Sequence, residues 1–248
     1  MLQIETVLCR AGKMDNYSYI LYSENKKDCV VIDPSETAPI VDRLQSLDLV
    51  PNYVLNTHHH FDHTDSNVEL KNLYGAKVVA NNADAHRIPG FDIGLDVGKK
   101  YRIVNGIIEI KKAEEDFDFE VIDVSAHTQG HVVYYFPLAK AVFTGDTLFN
   151  LCIGGLFEGS ADQMFEALAR IKQLPDDVLF YPGHEYTFGG ASVAYNYWGG
   201  NGDIIKYLQI AKERLQKGLP AGPFSLGEEK KCNPYLAVEN MEEFCQLF

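Results

Sequence analysis

Positive charge is what this 248-residue sequence has least of: 22 Lys+Arg stand against 35 Asp+Glu, a formal net charge of −13. A nucleic-acid partner is not expected, because phosphate-backbone binders present basic faces. An anionic small molecule is not excluded, since a basic patch can sit inside an acidic whole. No apolar run approaches the roughly 18–20 residues that span a bilayer, so no membrane partner is expected either. Cysteine is sparse: five residues, widely spaced and odd in number, with no Cys-x-x-Cys. That pattern points to structural thiols in a reduced, cytoplasmic setting. The first ten residues lack a basic stretch followed by an apolar one and read as a strand, not a signal peptide. Gly-x-Ser-x-Gly is absent, so a serine-hydrolase elbow finds no support. Repeats and low-complexity tracts are missing too. What is present is ordinary globular material, 46% hydrophobic and 23% charged, enough for one or two domains with a core.

The first two thirds alternate short β-rich runs with loops. Thr6–Cys9, Tyr17–Tyr22, Cys29–Ile32, Tyr53–Leu55 and Lys77–Ala80 read as strands. Tyr101–Val104, Ile107–Ile110, Glu120–Val124, Val132–Phe136, Ala141–Phe143 and Val178–Tyr181 continue the series. Ile40–Leu47 has helical spacing. Ser66 with Glu69, Ser160 with Gln163 and Ser225 with Glu228 are capping-box patterns opening helices. Lys111-Lys112 and the acidic run from Glu114 read as exposed loop. Beyond Tyr186 the pattern is helical. Strands alternating with helices, then helices alone, predict an α/β layered domain with a helical C-terminal piece and a boundary near residue 185.

Thr57-His58-His59-His60-Phe61-Asp62-His63 is the most informative stretch. Crowded imidazoles are costly if protonated and natural if neutral and donating to a metal. The cluster sits just past a short strand, at the sheet edge where ligands gather in α/β layers. His58 and His60 can converge on one ion, and Asp62 and His63 can turn toward a second. Further ligands are scarce and similarly placed. His127 follows the strand ending at Val124, Asp146 follows Ala141–Phe143, and His184 follows Val178–Tyr181. Each stands in a segment with a glycine that permits a tight turn.

These segments resemble the metallo-β-lactamase superfamily, whose signature is Thr-His-x-His-x-Asp-His. Within it they are most similar to glyoxalase II, the hydroxyacylglutathione hydrolases. That family shows Thr-His-His-His-x-Asp-His, His-Thr-x-Gly-His, Phe-Thr-Gly-Asp-Thr-Leu-Phe and Gly-His-Glu-Tyr-Thr. All four stand here in order, at 57–63, 127–131, 143–149 and 183–187. Asp15-Asn16-Tyr17, Val31-Ile32-Asp33-Pro34, Phe157-Glu158-Gly159 and Asn233-Pro234-Tyr235 are similar landmarks. The resemblance implies an α/β fold: a metallo-β-lactamase αββα sandwich over residues 1–184, then a helical substrate-binding domain over 185–248 that reads as truncated. It implies two divalent ions, zinc foremost, with iron or manganese suiting the same ligands. His58, His60 and His127 would hold one ion, Asp62, His63 and His184 the other, and Asp146 would bridge them. His59, His131 and Asp33 would orient those ligands, and His86 is structural.

The implied reaction is hydrolysis of S-D-lactoylglutathione, or a related 2-hydroxyacyl thioester, to free thiol and D-lactate, as in methylglyoxal detoxification. A metal-bridging hydroxide would attack, with Asp62 and Asp146 beside it. Other activities of the superfamily are a lactonase and a single-iron persulfide dioxygenase. The enzyme would act as a monomer on a small-molecule thioester.

The thiol side departs from the family. Gly155 stands where the family has a Lys or Arg, and Glu239–Phe248 contains neither. A charge-assisted bond to a carboxylate contributes about 1.5–3 kcal/mol, so glutathione recognition is expected to be weak or replaced. Tyr186, Phe157, Lys230 and Lys231 are the candidate thiol-side contacts.

Overall fold

Side-chain alternation in the second strand sets up the architecture. Tyr17, Tyr19 and Leu21 enter one core cluster with Val30, Ile32 and Leu55. Ile20 enters another with Val31 and Val54. Successive strand side chains point to opposite faces, so this sheet is buried on both. The structure, a computed structural model, describes residues 2–110 and 117–247. Lys111, Lys112 and the acidic residues Glu114, Glu115 and Asp116, read above as loop, lie outside the described residues.

The first sheet comprises β1 (Leu2–Cys9), β2 (Asn16–Ser23), β3 (Cys29–Ile32), β4 (Tyr53–Leu55), β5 (Lys77–Asn81) and β6 (Phe91–Leu95), in that order. Helices α1 (Thr37–Ser46), α2 (Phe61–Thr64) and α3 (Asn67–Tyr74) connect its strands. The β3-β4-β5-β6 pairs are parallel. The second half contributes β7 (Lys100–Val104), β8 (Ile107–Ile110), β9 (Asp118–Asp123), β10 (Val132–Phe136), β11 (Ala141–Gly145), a short hairpin β12 (Leu148–Phe149) and β13 (Cys152–Ile153), α4 (Ala161–Lys172) and β14 (Leu179–Pro182). The chain closes with α5 (Thr187–Trp198), α6 (Gly202–Gln216), β15 (Phe224–Ser225), α7 (Leu226–Cys232), α8 (Pro234–Ala237) and α9 (Met241–Cys245). The second sheet runs β15-β14-β11-β10-β9-β7-β8. Its β11–β14 pair is parallel.

Three apolar layers hold this together. Tyr19, Phe119, Tyr134, Phe136 and Phe143 fill the space between the sheets. Ile40, Leu44 and Leu70 cover the outer face of the first sheet from α1 and α3. Met164, Leu168 and Ile171 of α4 cover the second. That last cluster runs on through Ile204, Tyr207, Leu226, Leu236 and Phe244, so the C-terminal helices share a core with α4. The result is an αββα sandwich carrying a helical C-terminal part. No helix among the described residues is long and apolar enough to cross a membrane.

Two of the three capping boxes form, at Ser160/Gln163 and Ser225/Glu228. The Ser66/Glu69 pair does not. Ser66 has φ −94° and ψ 1°, so it lacks the extended backbone that aims a cap oxygen at the first turn. Its hydroxyl and the Glu69 carboxylate instead meet Thr37 Oγ1 at 2.9 and 2.7 Å. Strand β6 escapes the sequence pattern because Gly94 interrupts it. A Cβ there would lie 1.6 Å from Asn82 Oδ1, so the glycine marks a close approach within the strand, not a break.

Candidate metal centre

Parallel pairing brings separate strand ends to one edge. β3 and β4 end side by side, as do β11 and β14. The loop after β4 is fixed by its own polar groups. Asn56 Nδ2 donates to the His63 carbonyl at 2.9 Å. Asp33, just past β3, accepts from Thr57 N at 2.8 Å and Thr57 Oγ1 at 2.7 Å. The motif that stood out in the sequence is thereby folded back on itself, with the imidazoles of His58, His60 and His63 facing inward.

Four side chains form a first group: His58, His60, His127 and Asp146. His60 Nδ1 lies 3.1 Å from His58 Nε2 and 3.0 Å from His127 Nε2. His127 Nε2 lies 3.5 Å from Asp146 Oδ2. Asp62, His63 and His184 form a second group. His63 Nε2 and His184 Nε2 are 3.3 Å apart, and His184 Nε2 is 3.3 Å from Asp62 Oδ2. Asp146 touches both groups: its Oδ1 is 3.2 Å from His63 Nε2 and its Oδ2 3.4 Å from His184 Nε2.

The outer nitrogens fix which ring atoms face inward. His127 Nδ1 lies 2.7 Å from the Gly155 carbonyl, and His184 Nδ1 lies 2.8 Å from the Met14 carbonyl. A carbonyl only accepts, so both Nδ1 atoms carry the proton and both Nε2 lone pairs point into the site. His63 Nδ1 meets the Asp33 carboxylate at 3.0 Å, with the same consequence. Lone pairs converging at this spacing repel one another unless a cation lies among them. Asp146 Oδ1, buried and without a hydrogen bond, is a further acceptor aimed at the same space. The donor set therefore suits two metal ions, and its orienting partners are of the kind metal-binding imidazoles use.

Electrostatics divides the two groups. Burial and neighbouring imidazoles push His58 well below its ordinary pKa and His60 down to about 4. Burial also lowers His127 and His131. Burial opposes charge on His63 and His184 as well, but the Asp146 carboxylate together with Asp33 beside His63 and Asp62 beside His184 outweighs it, lifting His63 well above the usual range and His184 to about 9. Asp62 and Asp146 thus draw positive charge into the site. A divalent cation supplies that charge in place of protons.

Comparison with known proteins accords with this geometry. The metallo-beta-lactamase superfamily model matches residues 12–184, and the model of the hydroxyacylglutathione hydrolase C-terminus matches 185–246. The hydroxyacylglutathione hydrolase of Pelagibacter ubique is 37% identical over 246 residues, 99% of this chain and 97% of that protein. The chain belongs to the hydroxyacylglutathione hydrolase family. A second member, from Methylococcus capsulatus, is 36% identical over 228 residues, 92% of this chain and 85% of that one. Among solved structures, ETHE1 from Myxococcus xanthus has a TM-score of 0.72 at 24% identity, covering 99% of this chain and 89% of that one. This last likeness concerns the fold alone. The match to the family's C-terminal part favours a hydroxyacylglutathione hydrolase over the lactonase and dioxygenase alternatives.

Around the metal-facing edge of this hydrolase, the remaining expected residues fall in three places. His131 stacks on His58 at 4.6 Å, and its Nε2 accepts from Asp146 N at 3.1 Å. His59 turns outward to Asp84 at 3.4 Å and Glu158 at 3.6 Å, and His86 is exposed. Tyr186 stacks on His184 at 4.6 Å, and Phe157 stands edge-on to His127 at 5.1 Å. Both line the cavity of about 400 Å³ above the two groups. Lys230 and Lys231 do not line it, contrary to expectation. Lys230 Nζ is held by the Leu174 carbonyl at 2.8 Å and Asp176 at 2.6 Å. Sequence reading gave no role to Phe61 and Phe149, which line the cavity. It also missed Asn16 Nδ2, 2.9 Å from Asp62 Oδ2. Asn16 sits in a recognised landmark and could have been found; the Met14 and Gly155 carbonyls carry no side-chain signal.

Proposed function

We propose that this hydrolase cleaves 2-hydroxyacyl thioesters, S-D-lactoylglutathione or a close relative, to the free thiol and the 2-hydroxy acid. In this reading His58, His60 and His127 would hold one divalent cation, Asp62, His63 and His184 would hold a second, and Asp146 would serve both. Residues 1–184 form the catalytic domain and 185–248 the substrate-binding part. Zinc is the proposed ion; iron and manganese suit the same imidazole and carboxylate set. When bound, the two cations lower the pKa of a shared water and polarise the thioester carbonyl.

The chain's own groups supply the rest. The Gly155 and Met14 carbonyls hold His127 and His184 in the tautomer that donates inward. Asn16 keeps Asp62 in place; Asp62 would take the single proton that the attacking water gives up, with the Asp146 carboxylate beside it. Tyr186 and Phe157 stand on the cavity wall, where they would border the reacting carbonyl. The leaving group is a thiolate of pKa about 8.5, so it departs without a strong general acid. That accords with a cavity whose ionisable side chains, Tyr186 aside, all belong to the proposed ligand set. The same reading makes the enzyme a cytoplasmic monomer, which its five unbridged cysteines suit.

The observation that carries the proposal is the convergence of the two groups on one cavity with Asp146 between them. Metal analysis of the purified chain should return close to two ions, and chelation should abolish lactoylglutathione hydrolysis until zinc is restored. Full activity after chelation would end the proposal.

A further inference from the structure

Beyond the metal-facing cavity lies a second one of about 470 Å³, and Tyr186 belongs to the walls of both. Tyr186 thus borders both the space where a thioester carbonyl would face the imidazoles and an adjoining space of a size to take a thiol arm. Its wall is apolar and aromatic: Ile153, Phe188, Val193, Leu215 and Tyr235. The rim is aromatic as well. Phe61, Phe157, Tyr186 and Phe188 are 58%, 70%, 38% and 51% exposed, so their rings are open to contact from a bound molecule.

Among the described residues, no lysine or arginine lines either cavity. Several cations nearby are already bound. Arg214, next to Leu215, donates to the Pro220 carbonyl at 2.9 Å and the Gly222 carbonyl at 2.5 Å. Arg10 bonds Ser35 Oγ at 2.9 Å and pairs with Asp65. Arg87 pairs with Asp84 and Glu158, each at 2.5 Å. Glu185 is the acidic member of the second wall, and its carboxylate is occupied by Tyr17 Oη at 2.5 Å and by Thr187 N and Ala221 N at 3.2 Å each. A carboxylate laid against this wall would lose water without gaining a cation, which is unfavourable. An uncharged arm loses little and gains apolar contact.

We infer that this enzyme grips the thiol arm by apolar contact with the Tyr186–Phe188–Tyr235 wall and not through ion pairs to its carboxylates, so that an arm with those carboxylates masked is accepted as well as glutathione itself. The inference rests on the thioester reading above, and its test separates the two. The zinc-loaded full chain is assayed with S-D-lactoylglutathione, with its diethyl ester and with the lactoyl thioester of N-acetylcysteamine. Binding of S-butylglutathione and its diethyl ester, which cannot be hydrolysed as thioesters, is measured in parallel by calorimetry.

The diester and the N-acetylcysteamine thioester should show kcat/KM no more than threefold below that of lactoylglutathione, or above it. The diester of S-butylglutathione should bind at least as tightly as the free acid. A tenfold or greater loss of kcat/KM or affinity on masking the carboxylates would overturn the inference, as would failure of both S-butyl compounds to bind. If the expected binding order holds but no thioester is cleaved, the thioester reading falls and the grip without ion pairs stands. Lys13 is exposed beside Met14, which lines the first cavity. Lys13→Met should leave the ratio between lactoylglutathione and its diester unchanged. A tenfold loss confined to lactoylglutathione would place the missing cation there and overturn the inference.

Discussion

The two walls of the cleft are built by opposite means. The metal-facing edge is crowded with acceptors, and three of its rings are aimed from behind: His127 and His184 by backbone carbonyls at 2.7 and 2.8 Å, His63 by the buried Asp33 carboxylate at 3.0 Å. The thiol-facing wall carries aromatic and aliphatic side chains whose contacts are non-directional. A directional site fails when one atom is lost, whereas an apolar wall degrades gradually. The largest effect therefore belongs to the first wall. His58→Ala or His184→Ala should lower kcat/KM by about a thousandfold or more and reduce metal content by about one ion, read by hydrolysis assay and elemental analysis. Substitutions of that severity on the second wall, such as Phe188→Ala, should change KM far less.

One layer further out, the effect should shrink without vanishing. Asp33 orients His63 from 3.0 Å while also binding Thr57 through two bonds. Asp33→Ala should cost about 10–100-fold in metal affinity, measured by competition with a chromogenic chelator. Unchanged affinity would show that the tautomer of His63 is set elsewhere.

The same contrast governs what could be read from the sequence. The proposed ligands were legible because metal chemistry demands particular side chains, and four of the seven fall within six consecutive positions, 58–63. The α/β layering and the helical C-terminal piece were legible from the strand and helix patterns, whereas the αββα sandwich followed from the motif resemblance. What stayed hidden was supplied by backbone or by distant partners. Neither Met14 nor Gly155 announces that its carbonyl holds a histidine. Lys230 looked free for a substrate because its sequence neighbourhood does not reveal Asp176 and the end of α4. Ser66 and Glu69 matched a capping box, yet the chain enters α3 through a non-extended residue and Thr37 binds both.

Adding a cation to the metal-facing cavity, close to Phe157, would sharpen the comparison. Gly155 lines the cavity, and a Cβ there would meet the exposed Phe157 ring at 3.2 Å, a neighbour with room to give. Gly155→Lys should raise kcat/KM for lactoylglutathione relative to its diester by about tenfold or more, the size of one charge-assisted bond. An unchanged ratio would mean that the carboxylates remain in solvent even when a cation is offered.

The smallest effect concerns the joint between the two walls. Glu229 of α7 is fully buried, accepting from Leu151 N at 2.5 Å, Asn233 Nδ2 at 2.9 Å and Tyr207 Oη at 2.7 Å. Leu151 turns the β12–β13 hairpin with a left-handed φ of 64°, a conformation leucine adopts at a cost. That hairpin carries Phe149, whose ring meets Tyr186 at 5.2 Å, and Cys152 of the second wall. Burial lifts the Glu229 carboxyl to about 7, against the bonds from Tyr207, Leu151 and Asn233 that lower it. A carboxyl that binds its proton more tightly folded than unfolded stabilises the fold fully at low pH, and that stabilisation fades as pH rises through the folded value. Glu229→Gln should therefore cost about 1–2 kcal/mol near pH 5, and the cost should shrink or reverse toward pH 8 in paired urea titrations. A penalty that grows with pH would mean that the ionised carboxylate is the stabilising form, and the hairpin would then be pinned by charge.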